Sequence, residues 1–388
     1  MGLRKDIEIE LAGLYWRRVD LELSRPLVTS VRRFDERSVL LLRLDVEVGD
    51  TLVRGFGEVA PLEDWTDETI DDCEEALQNF EPSTARCHLG PSKDVDEWEE
   101  AVHEVFSFHE FSALRFGVEV AILDAVARHE RIPLRRLLST EDTQVADEVA
   151  VQYTLGVASV DETVDYVEEA RDRGFECVKL KVGAGSIDDD VARVAAVRRR
   201  CPHMTIRLDA NGAYSLDEAR RLLKAIASLE VDLVEQPVAA DDVEGLAKLK
   251  SLQLVDVAAD EGALPSGMAR QMVRDKSVDA LVLKPTAMGG LLPVLSIIDE
   301  AKGRDIRVIL STLIESAVGR RAVAQLAACR PDVPGPHGLA TGGWFVRDVL
   351  PEPDRIEDGK LQLADHSGLG VFSFSEATSA SNWRGGPC

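Results

Sequence analysis

The sequence predicts an α/β protein in which a parallel barrel follows an N-terminal α+β region. Near residue 149 the pattern changes from strands followed by helices to a strict alternation of strands and helices. Charged residues also recur at the ends of successive apolar runs, at intervals of about 25 residues, the length of one strand plus one helix in a parallel array. Such a repeat places all of these charges at the same end of neighbouring strands.

The first third predicts antiparallel strands and then helices. Strand-like runs occupy 7–23, 38–48 and 52–62, separated by turn residues such as Arg25-Pro26 and Gly49-Asp50. Helical spacing of apolar residues follows at 67–78, 95–106 and 113–129. Strands followed by helices without alternation predict an α+β domain.

After residue 149, strand-like runs fall at 150–155, 176–182, 204–208, 231–235, 254–259, 280–284, 307–310 and, weakly, 338–341. Amphipathic segments lie between them, and Ser215 with Glu218 predicts a capping box at one helix start. An open doubly wound sheet is the competing fold. The barrel is favoured because the first strand is not followed by a glycine-rich phosphate loop, and because an open sheet cannot bring charges from five successive strands to one point.

Composition excludes several classes of function. Asp and Glu number 70 against 45 Lys and Arg, a net charge of −25, which disfavours nucleic acid as a partner. An acidic, lysine-poor surface suits high salt and predicts a halophilic source. The six cysteines are scattered without a CxxC, which argues for reduced thiols and against a zinc site. No apolar run reaches the roughly 18 residues of a membrane span, and the start of the chain is charged, so we expect a cytoplasmic protein.

The recurrent charges form an acidic trio flanked by lysines. In chain order they are Lys179, Lys181, Asp209, Glu235, Asp260 and Lys284. Each carboxylate alone could be a helix N-cap. Three carboxylates converging on the C-terminal rim of a barrel would repel each other without a cation, and all-oxygen ligands favour Mg²⁺ over Zn²⁺.

The lysines predict proton chemistry. Lys179 and Lys181 are two residues apart on a strand, so both point to one face, and Lys284 approaches from the other side. Beside a metal in a desolvated site we expect lowered lysine pKa values, which would let one lysine act as a base near neutral pH. A metal and opposed lysines suit removal of a proton next to a carboxylate, whose developing charge must be neutralised.

The motifs KLK, LDAN, VEQP, ADE and LKP resemble the enolase superfamily, in its muconate-lactonizing subgroup. The resemblance implies a modified (β/α)₇β TIM-type barrel over 131–345, with an N-terminal α+β capping domain over 1–130. The glycine- and serine-rich tail, 346–388, is expected to pack back on that cap.

Within the subgroup, five further segments resemble the o-succinylbenzoate synthases of menaquinone biosynthesis. They are GFGEVAPLEDWTDET (55–69), RFGVEVAILDA (115–125), LKPTAMGG (283–290), STLIESAVG (311–319) and HGLATGGWF (337–345). The resemblance implies a lyase that removes water, with syn stereochemistry, from 2-succinyl-6-hydroxy-2,4-cyclohexadiene-1-carboxylate.

The resemblance also implies a role for each residue. Lys181 would take the α-proton, Lys284 would stabilise the developing charge, and Lys179 would assist electrostatically. Mg²⁺, or Mn²⁺ as a substitute, would be held by the acidic trio. Ser311, Thr312 and Gly338 would receive the succinyl carboxylate of the substrate. Arg207 and Asn211 would support the metal ligands from behind.

Other activities stay open on the same scaffold. N-acylamino-acid racemization and muconate cycloisomerization need the same metal and lysines. RVILSTLIES (307–316) lacks the histidine base of mandelate-racemase types, and HGLATGG (337–343) lacks the DxD of dipeptide epimerases. A catalytically silent binding protein is the alternative from another class. The loop 26–34 is the candidate lid over a small-molecule carboxylate substrate. No nucleic-acid or membrane partner is expected. The sequence permits homo-oligomers.

Overall fold

The computed structural model describes residues 3, 6–28, 33–63, 65–80, 86–90, 94–104, 108, 110–140, 143–352, 354–375 and 382–388. The N-terminal part contains antiparallel strands and then helices. Their bounds are β1 (Ile7–Val28), β2 (Arg33–Val48), β3 (Thr51–Val59), α1 (Ile70–Gln78), β4 (Arg86–Leu89), α2 (Val95–Glu104), α3 (Ser112–His129) and α4 (Leu134–Leu137). None of the helices in the described ranges is long and apolar enough to cross a membrane.

The parallel part alternates strands with helices. Its elements are β5 (Glu148–Ala150), β6 (Tyr153–Leu155), α5 (Val160–Asp172), β7 (Cys177–Lys181), α6 (Ile187–Arg200), β8 (Thr205–Asp209), α7 (Leu216–Ile226), β9 (Val231–Glu235), α8 (Val243–Lys250), β10 (Asp256–Ala259), α9 (Ser266–Asp275), β11 (Ala280–Leu283), α10 (Pro285–Met288), α11 (Leu291–Lys302), β12 (Arg307–Leu310) and α12 (Ala317–Cys329). The tail adds β13 (Ile356–Glu357), β14 (Lys360–Gln362) and β15 (Arg384–Pro387).

The parallel strands β6 to β12 form one curled sheet in chain order, and the N-terminal strands form an antiparallel sheet. The prediction of an α/β fold preceded by an antiparallel-sheet domain is therefore confirmed. The capping box at the start of α7 is also present, with Ser215 accepting from the Glu218 backbone and Glu218 accepting from the Ser215 backbone.

Two predicted strands differ in the structure. The run 150–155 divides into β5 and β6, because the amide of Val151 donates to Gly359 O and that of Gln152 to His337 O. The predicted strand 338–341 is wrong, since only isolated bridges form, between Val151 and His337 and between Ser311 and Gly338. These two bridges connect the segment 337–338 to both edges of the curled sheet, so a short connection replaces a full strand.

Helix α3 packs directly on the antiparallel sheet. A Cβ at Gly55 would lie 1.9 Å from Ala121 O, and one at Gly57 would lie 1.9 Å from Gly117 O. Backbone therefore meets backbone at these glycines, and any side chain would separate helix from strand. The tail also reaches this sheet, where β15 pairs antiparallel with β1.

Two glutamates of the antiparallel domain cap helices of the parallel part. Glu58, at the end of β3, accepts from the amides of Ser316 and Gly319 at 2.7 Å each, at the start of α12. Glu119, on α3, accepts from the amide of Leu291 at 2.5 Å, at the start of α11. Carboxylates at helix N-termini satisfy free amides and complement the helix dipole. The domain is thus attached to the segments that follow β11 and β12.

Glu58 should make stability depend on pH. Burial raises its pKa from 4.5 to about 7, against the opposing effect of its hydrogen bonds. Its contribution to stability is therefore fully present below pH 4.5 and lost as pH rises towards 7, because the folded protein then holds a proton that the unfolded chain has released. Relative to Glu58→Gln, the wild-type free energy of unfolding should fall by roughly 3 kcal/mol over this range in urea titrations. Glu36→Gln, at an exposed site on β2, is the control; a parallel pH dependence of wild type and Glu58→Gln would contradict the prediction.

Candidate active site

The sheet register brings the acidic trio to one rim. Lys181 on β7 is opposite Asp209 on β8, and Asp209 is opposite Glu235 on β9. Glu235 is opposite Ala258 on β10, and Asp260 follows two residues later on the same face. The three carboxylates are 1–2% exposed. Asp209 and Glu235 are the last residues of β8 and β9, and Asp260 directly follows β10. Alternation along each strand points the side chain inward, and a turn follows.

The lysines contact these carboxylates directly. Lys179 Nζ donates to Glu235 Oε1 at 2.8 Å and lies 3.0 Å from Asp209 Oδ2. Lys181 Nζ donates to Asp209 Oδ2 at 2.6 Å, and Lys284 Nζ pairs with Asp260 Oδ1. Lys179 and Lys284 are almost fully buried, whereas the Lys181 side chain is 31% exposed. Lys181 is therefore the lysine of the three that is most accessible to a substrate.

The close packing of charges moves their pKa values apart. Burial lowers the pKa of Lys179, but attraction to Asp209, Glu235 and Asp260 outweighs burial, and the net pKa is raised. The carboxylates thus stabilise the ammonium form. The lowered pKa predicted from the sequence concerns a site that also contains the metal ion, and it stays a prediction. For Asp209, burial is outweighed by Lys179 and Lys181, so its pKa is lowered.

The other two carboxylates shift upward. Burial raises the pKa of Glu235, and repulsion from Asp209 adds to it. Burial also raises the pKa of Asp260, against the opposing charge of Lys284. The trio therefore combines one strongly acidic carboxyl group with two that hold protons more readily, because a confined group of like charges resists full ionisation.

The donor set fits a hard divalent cation, although its side chains are engaged with lysines. As placed, no three His, Cys, Asp or Glu side chains of the described ranges are grouped closely enough to hold an ion. Asp209 and Glu235 nevertheless both lie within 3.0 Å of one cationic nitrogen, that of Lys179. Buried carboxylate oxygens converging on a positive charge are the ligands that Mg²⁺ takes. Oxygens of all three carboxylates are engaged by the ammonium groups of Lys179, Lys181 and Lys284.

Asn211 links the rim to a glutamate that the sequence prediction did not single out. Its Oδ1 accepts from Lys181 Nζ at 2.5 Å, and its Nδ2 donates to Glu261 Oε1 at 2.7 Å. Its own amide donates to Asp209 Oδ1 at 3.1 Å. The second oxygen of Glu261 is buried without a hydrogen-bond partner in the described part of the chain. Glu261 directly follows Asp260, and that adjacency was the available signal.

Gln236 is a second residue that the sequence analysis missed. It is fully buried, and its Oε1 accepts from the amides of Asp260 and Gly262 at 3.0 Å each. Its Nε2 donates to Val238 O at 2.8 Å. The side chain thus fixes the turn that presents Asp260, and the VEQP motif contained it without revealing that role.

Arg207 does not contact the trio. Its side chain leaves β8 on the same face as that of Asp209, which comes two residues later. The guanidinium group donates to Asp232 Oδ2 at 2.8 Å, Gln152 Oε1 at 2.9 Å and Pro336 O at 2.6 Å. The prediction that Arg207 supports the metal ligands from behind is therefore corrected, because its guanidinium group bonds Asp232, Gln152 and Pro336. The long side chain extends towards the other end of the sheet, where it ties β8 to β9 and to the segment before His337.

The three predicted substrate-binding residues lie together beside Lys284. The Ser311 amide donates to Leu283 O at 2.9 Å, next to Lys284 in sequence. A Cβ at Gly338 would lie 2.6 Å from Ser311 Oγ, so a larger residue there would displace the Ser311 hydroxyl. The Thr312 hydroxyl is 3.4 Å from that of Thr341. All three predicted residues are buried, in a segment able to present hydroxyl and amide donors.

An apolar wall from both parts of the chain adjoins Lys284. Its side chains are Leu62, Ala287 and Leu313, packed with Phe34, Trp65 and Leu264. Lys284 Nζ lies 3.9 Å from the centroid of the Trp65 ring, a cation–π contact. Trp65 belongs to the segment 55–69, which resembles the o-succinylbenzoate synthases. Its contact with Lys284 joins residues distant in sequence and could not be predicted.

The predicted lid falls mostly outside the described side chains. Residues 29–32 are not among the described residues, and the ends of the predicted loop are strand, with Val28 paired to Arg33 and Leu27 to Phe34. The loop 26–34 is thus shorter than expected. Phe34 reaches the apolar wall, so the described end of this hairpin is close to the site.

Residues 162–374 match the family model described as enolase C-terminal domain-like. The chain is 27% identical over 370 residues to o-succinylbenzoate synthase of Bacillus subtilis (strain 168), covering 94% of each. It is 28% identical over 391 residues to N-succinylamino acid racemase of Amycolatopsis sp, covering 97% of this chain and 100% of the relative. Further relatives are named hydrophobic dipeptide epimerase and muconate cycloisomerase.

A solved structure shares the fold. The dipeptide epimerase of Enterococcus faecalis V583, complexed with Mg and the dipeptide L-Leu-L-Tyr, superimposes with a TM-score of 0.82 at 24% identity, covering 93% of this chain and 99% of that one. The chain belongs to the enolase superfamily, in the subgroup that is similar to the muconate-lactonizing enzymes. Its relatives are lyases and isomerases, and members of this superfamily use Mg²⁺.

Proposed function

We propose that the protein is an o-succinylbenzoate synthase, which dehydrates 2-succinyl-6-hydroxy-2,4-cyclohexadiene-1-carboxylate for menaquinone biosynthesis. The observation that carries the proposal is the meeting of Lys181 and Lys284 with three buried carboxylates at one rim. The similarity over 94% of both chains to a synthase of that name supports the choice within the superfamily.

Each side chain has a role in this reaction. Lys181 Nζ, oriented by Asp209 and Asn211, takes the α-proton. Because syn elimination removes proton and hydroxyl from one face, the same ammonium group can then protonate the leaving hydroxyl. Lys284 supplies positive charge from the other side, with Trp65 excluding water around it. Mg²⁺, or Mn²⁺ in its place, held by Asp209, Glu235 and Asp260 would neutralise the charge developing on the substrate carboxylate.

One end of the site suits the succinyl tail of the proposed substrate. Ser311, Thr312 and the Gly338 backbone would receive the succinyl carboxylate, and the wall containing Trp65 and Leu313 would contact the six-membered ring. The hairpin 26–34 would cover the tail as a lid.

We infer a modified (β/α)₇β barrel at 131–345 and a capping domain formed by 1–130 and 346–388. Cytoplasmic location, adaptation to high salt and any oligomer stay predictions from the sequence.

N-succinylamino acid racemization is the second candidate. A racemase needs a proton acceptor on one face of the α-carbon and a donor on the other, and Lys181 and Lys284 are on different strands at opposite sides of the trio. A dehydratase needs proton transfer on one face only. The relative that covers 97% of this chain carries the racemase name.

Two assays separate the candidates. With Mg²⁺ and the cyclohexadiene substrate, we expect the ultraviolet spectrum to change as the ring becomes aromatic. In D₂O with N-succinylamino acids, a racemase would incorporate deuterium at the α-carbon, which NMR detects. Deuterium incorporation without any aromatisation would replace the first proposal with the second. Inactivity in both assays, with no heat of Mg²⁺ binding, would favour a silent binding protein.

A further inference from the structure

Asp190, Arg193 and Tyr214 form a buried polar cluster behind the segment that carries Lys181. Asp190 and Arg193 lie one turn apart on α6, and Tyr214 is in the loop between β8 and α7. Their exposures are 2%, 5% and 7%. The roles proposed above use none of the three.

The cluster bonds the backbone on both sides of the strand end. Arg193 Nη2 donates to Lys181 O at 2.8 Å and to Asp190 Oδ1 at 2.5 Å. Asp190 Oδ2 accepts from the amide of Gly183 at 2.9 Å and from Tyr214 Oη at 2.6 Å. The carbonyl of Lys181 and the amide two residues later are therefore fixed by one ion pair.

The turn that follows Lys181 is also tightly enclosed. Gly183 has φ +89°, and a Cβ there would lie 2.5 Å from Ala213 Cβ. The amide of Val182 donates to Asp209 O at 2.9 Å. The loop after β7 is thus pressed against the loop after β8, and Tyr214 joins the two through Asp190.

Stability alone is a poor explanation for this cluster. Buried ion pairs seldom stabilise more than apolar packing of the same volume. Arg193 Nη1 is buried and has no hydrogen-bond partner within the described ranges, which adds a cost. A cluster of this kind fixes geometry, and the geometry that it fixes is the backbone from which the Lys181 side chain projects.

We propose that Asp190, Arg193 and Tyr214 are positioning residues that hold the backbone of residues 181–183 and so direct the Lys181 ammonium group at the substrate. The inference rests on the proposed role of Lys181 as the base. Lys181 is the most exposed lysine of the site and ends its strand, so its side chain has less packing around it than Lys179. Its direction consequently depends on the backbone behind it.

Arg193→Met and Tyr214→Phe test the proposal, with Arg198→Met as the matched control. Arg198 lies on the same helix and also donates to backbone carbonyls, but to those of Met204 and Leu229 at the far end of the strands. Arg193→Met should lower kcat by about 10- to 100-fold with KM changed less than about threefold, as expected for a misaligned reacting group. Tyr214→Phe should lower kcat less, and Arg193→Lys should restore part of the loss.

Hydrogen exchange supplies a readout that needs no substrate. Amide exchange at residues 182 and 183 should accelerate in Arg193→Met and stay at the wild-type rate in Arg198→Met, with mass spectrometry as the measurement. Unchanged exchange, or a kcat loss no greater than that of Arg198→Met, would overturn the proposal. A wild-type protein inert towards both substrate classes would instead refute the proposed function, and the exchange data would then decide whether the cluster holds this segment.

Discussion

Lys181→Ala should lose about 10³-fold or more in kcat while the protein still folds and binds ligand, because a general base contributes typically 10²–10⁴-fold. Lys181 Nζ is held by Asp209 Oδ2 at 2.6 Å and Asn211 Oδ1 at 2.5 Å, and no other lysine of the site is as exposed. Removing it leaves the carboxylates and Lys284 in place. The substitution should therefore remove more stabilisation from the transition state than from the bound ground state.

The measurement pairs turnover with binding. Aromatisation followed in the ultraviolet gives kcat for the proposed reaction. Calorimetric titration with o-succinylbenzoate, the product of that proposed reaction, gives a dissociation constant, expected to stay within about fivefold of wild type. Lys248→Ala is the control, since Lys248 is exposed on α8 and pairs only with Glu244 one turn away among the described residues. A Lys181→Ala variant that retains its kcat would move the base to another residue.

The rim could be predicted because its information is local. Asp209, Glu235 and Asp260 each follow a short apolar strand, and alternation along a strand decides which way each side chain points. The even spacing of these strands is enough to bring their ends together, since parallel strands joined by helices all run in one direction. The positions of Lys179 and Lys181 follow from the same rule.

Other parts of the site depend on contacts between residues far apart in sequence. Trp65 approaches Lys284 because the antiparallel domain sits over the rim, and Glu58 reaches α12 for the same reason. Arg207 was misplaced because its length allows several partners, and the chain alone does not show that Asp232 and Gln152 compete successfully for its guanidinium group. Propensity and spacing contain no information about these pairings.

The run 150–155 and the segment 338–341 were misjudged for a related reason. Both contain residues suited to strands, but strand formation needs a neighbour in register. Val151 and Gln152 instead donate to Gly359 and His337, so the ladder is interrupted. His337 is fully buried, and burial lowers its pKa to about 4, with Arg207 adding repulsion. It is thus neutral near pH 7, and its Nδ1 accepts from the amide of Leu310 at 3.1 Å, which holds this short connection against β12.

Asp209→Asn should abolish Mg²⁺ binding and turnover together. Asp209 lies between Lys181 and Glu235 in the register. Its pKa is lowered by Lys179 and Lys181, whereas the pKa values of Glu235 and Asp260 are raised, so Asp209 is the most readily ionised carboxyl group of the trio. An amide in its place keeps the shape but loses the charge. The Mg²⁺ affinity should fall by more than the roughly 10- to 100-fold typical of losing a residue that only supports a ligand.

Calorimetric titration with Mg²⁺ alone measures the Mg²⁺ affinity without any substrate. The matched control is Asp232→Asn. Asp232 is likewise an aspartate in an ion pair, but it lies on β9, near the opposite end of the sheet, where it pairs with Arg207 and Arg307. Its substitution should lower Tm and leave the Mg²⁺ titration unchanged. Asp209→Asn removes charge that Lys179 and Lys181 both use, so its Tm should fall as well. Only the combination of a lowered Tm with a lost Mg²⁺ titration distinguishes a metal ligand from a structural ion pair. If Asp209→Asn bound Mg²⁺ like the wild type, Asp209 would be a partner of the lysines and not a metal ligand.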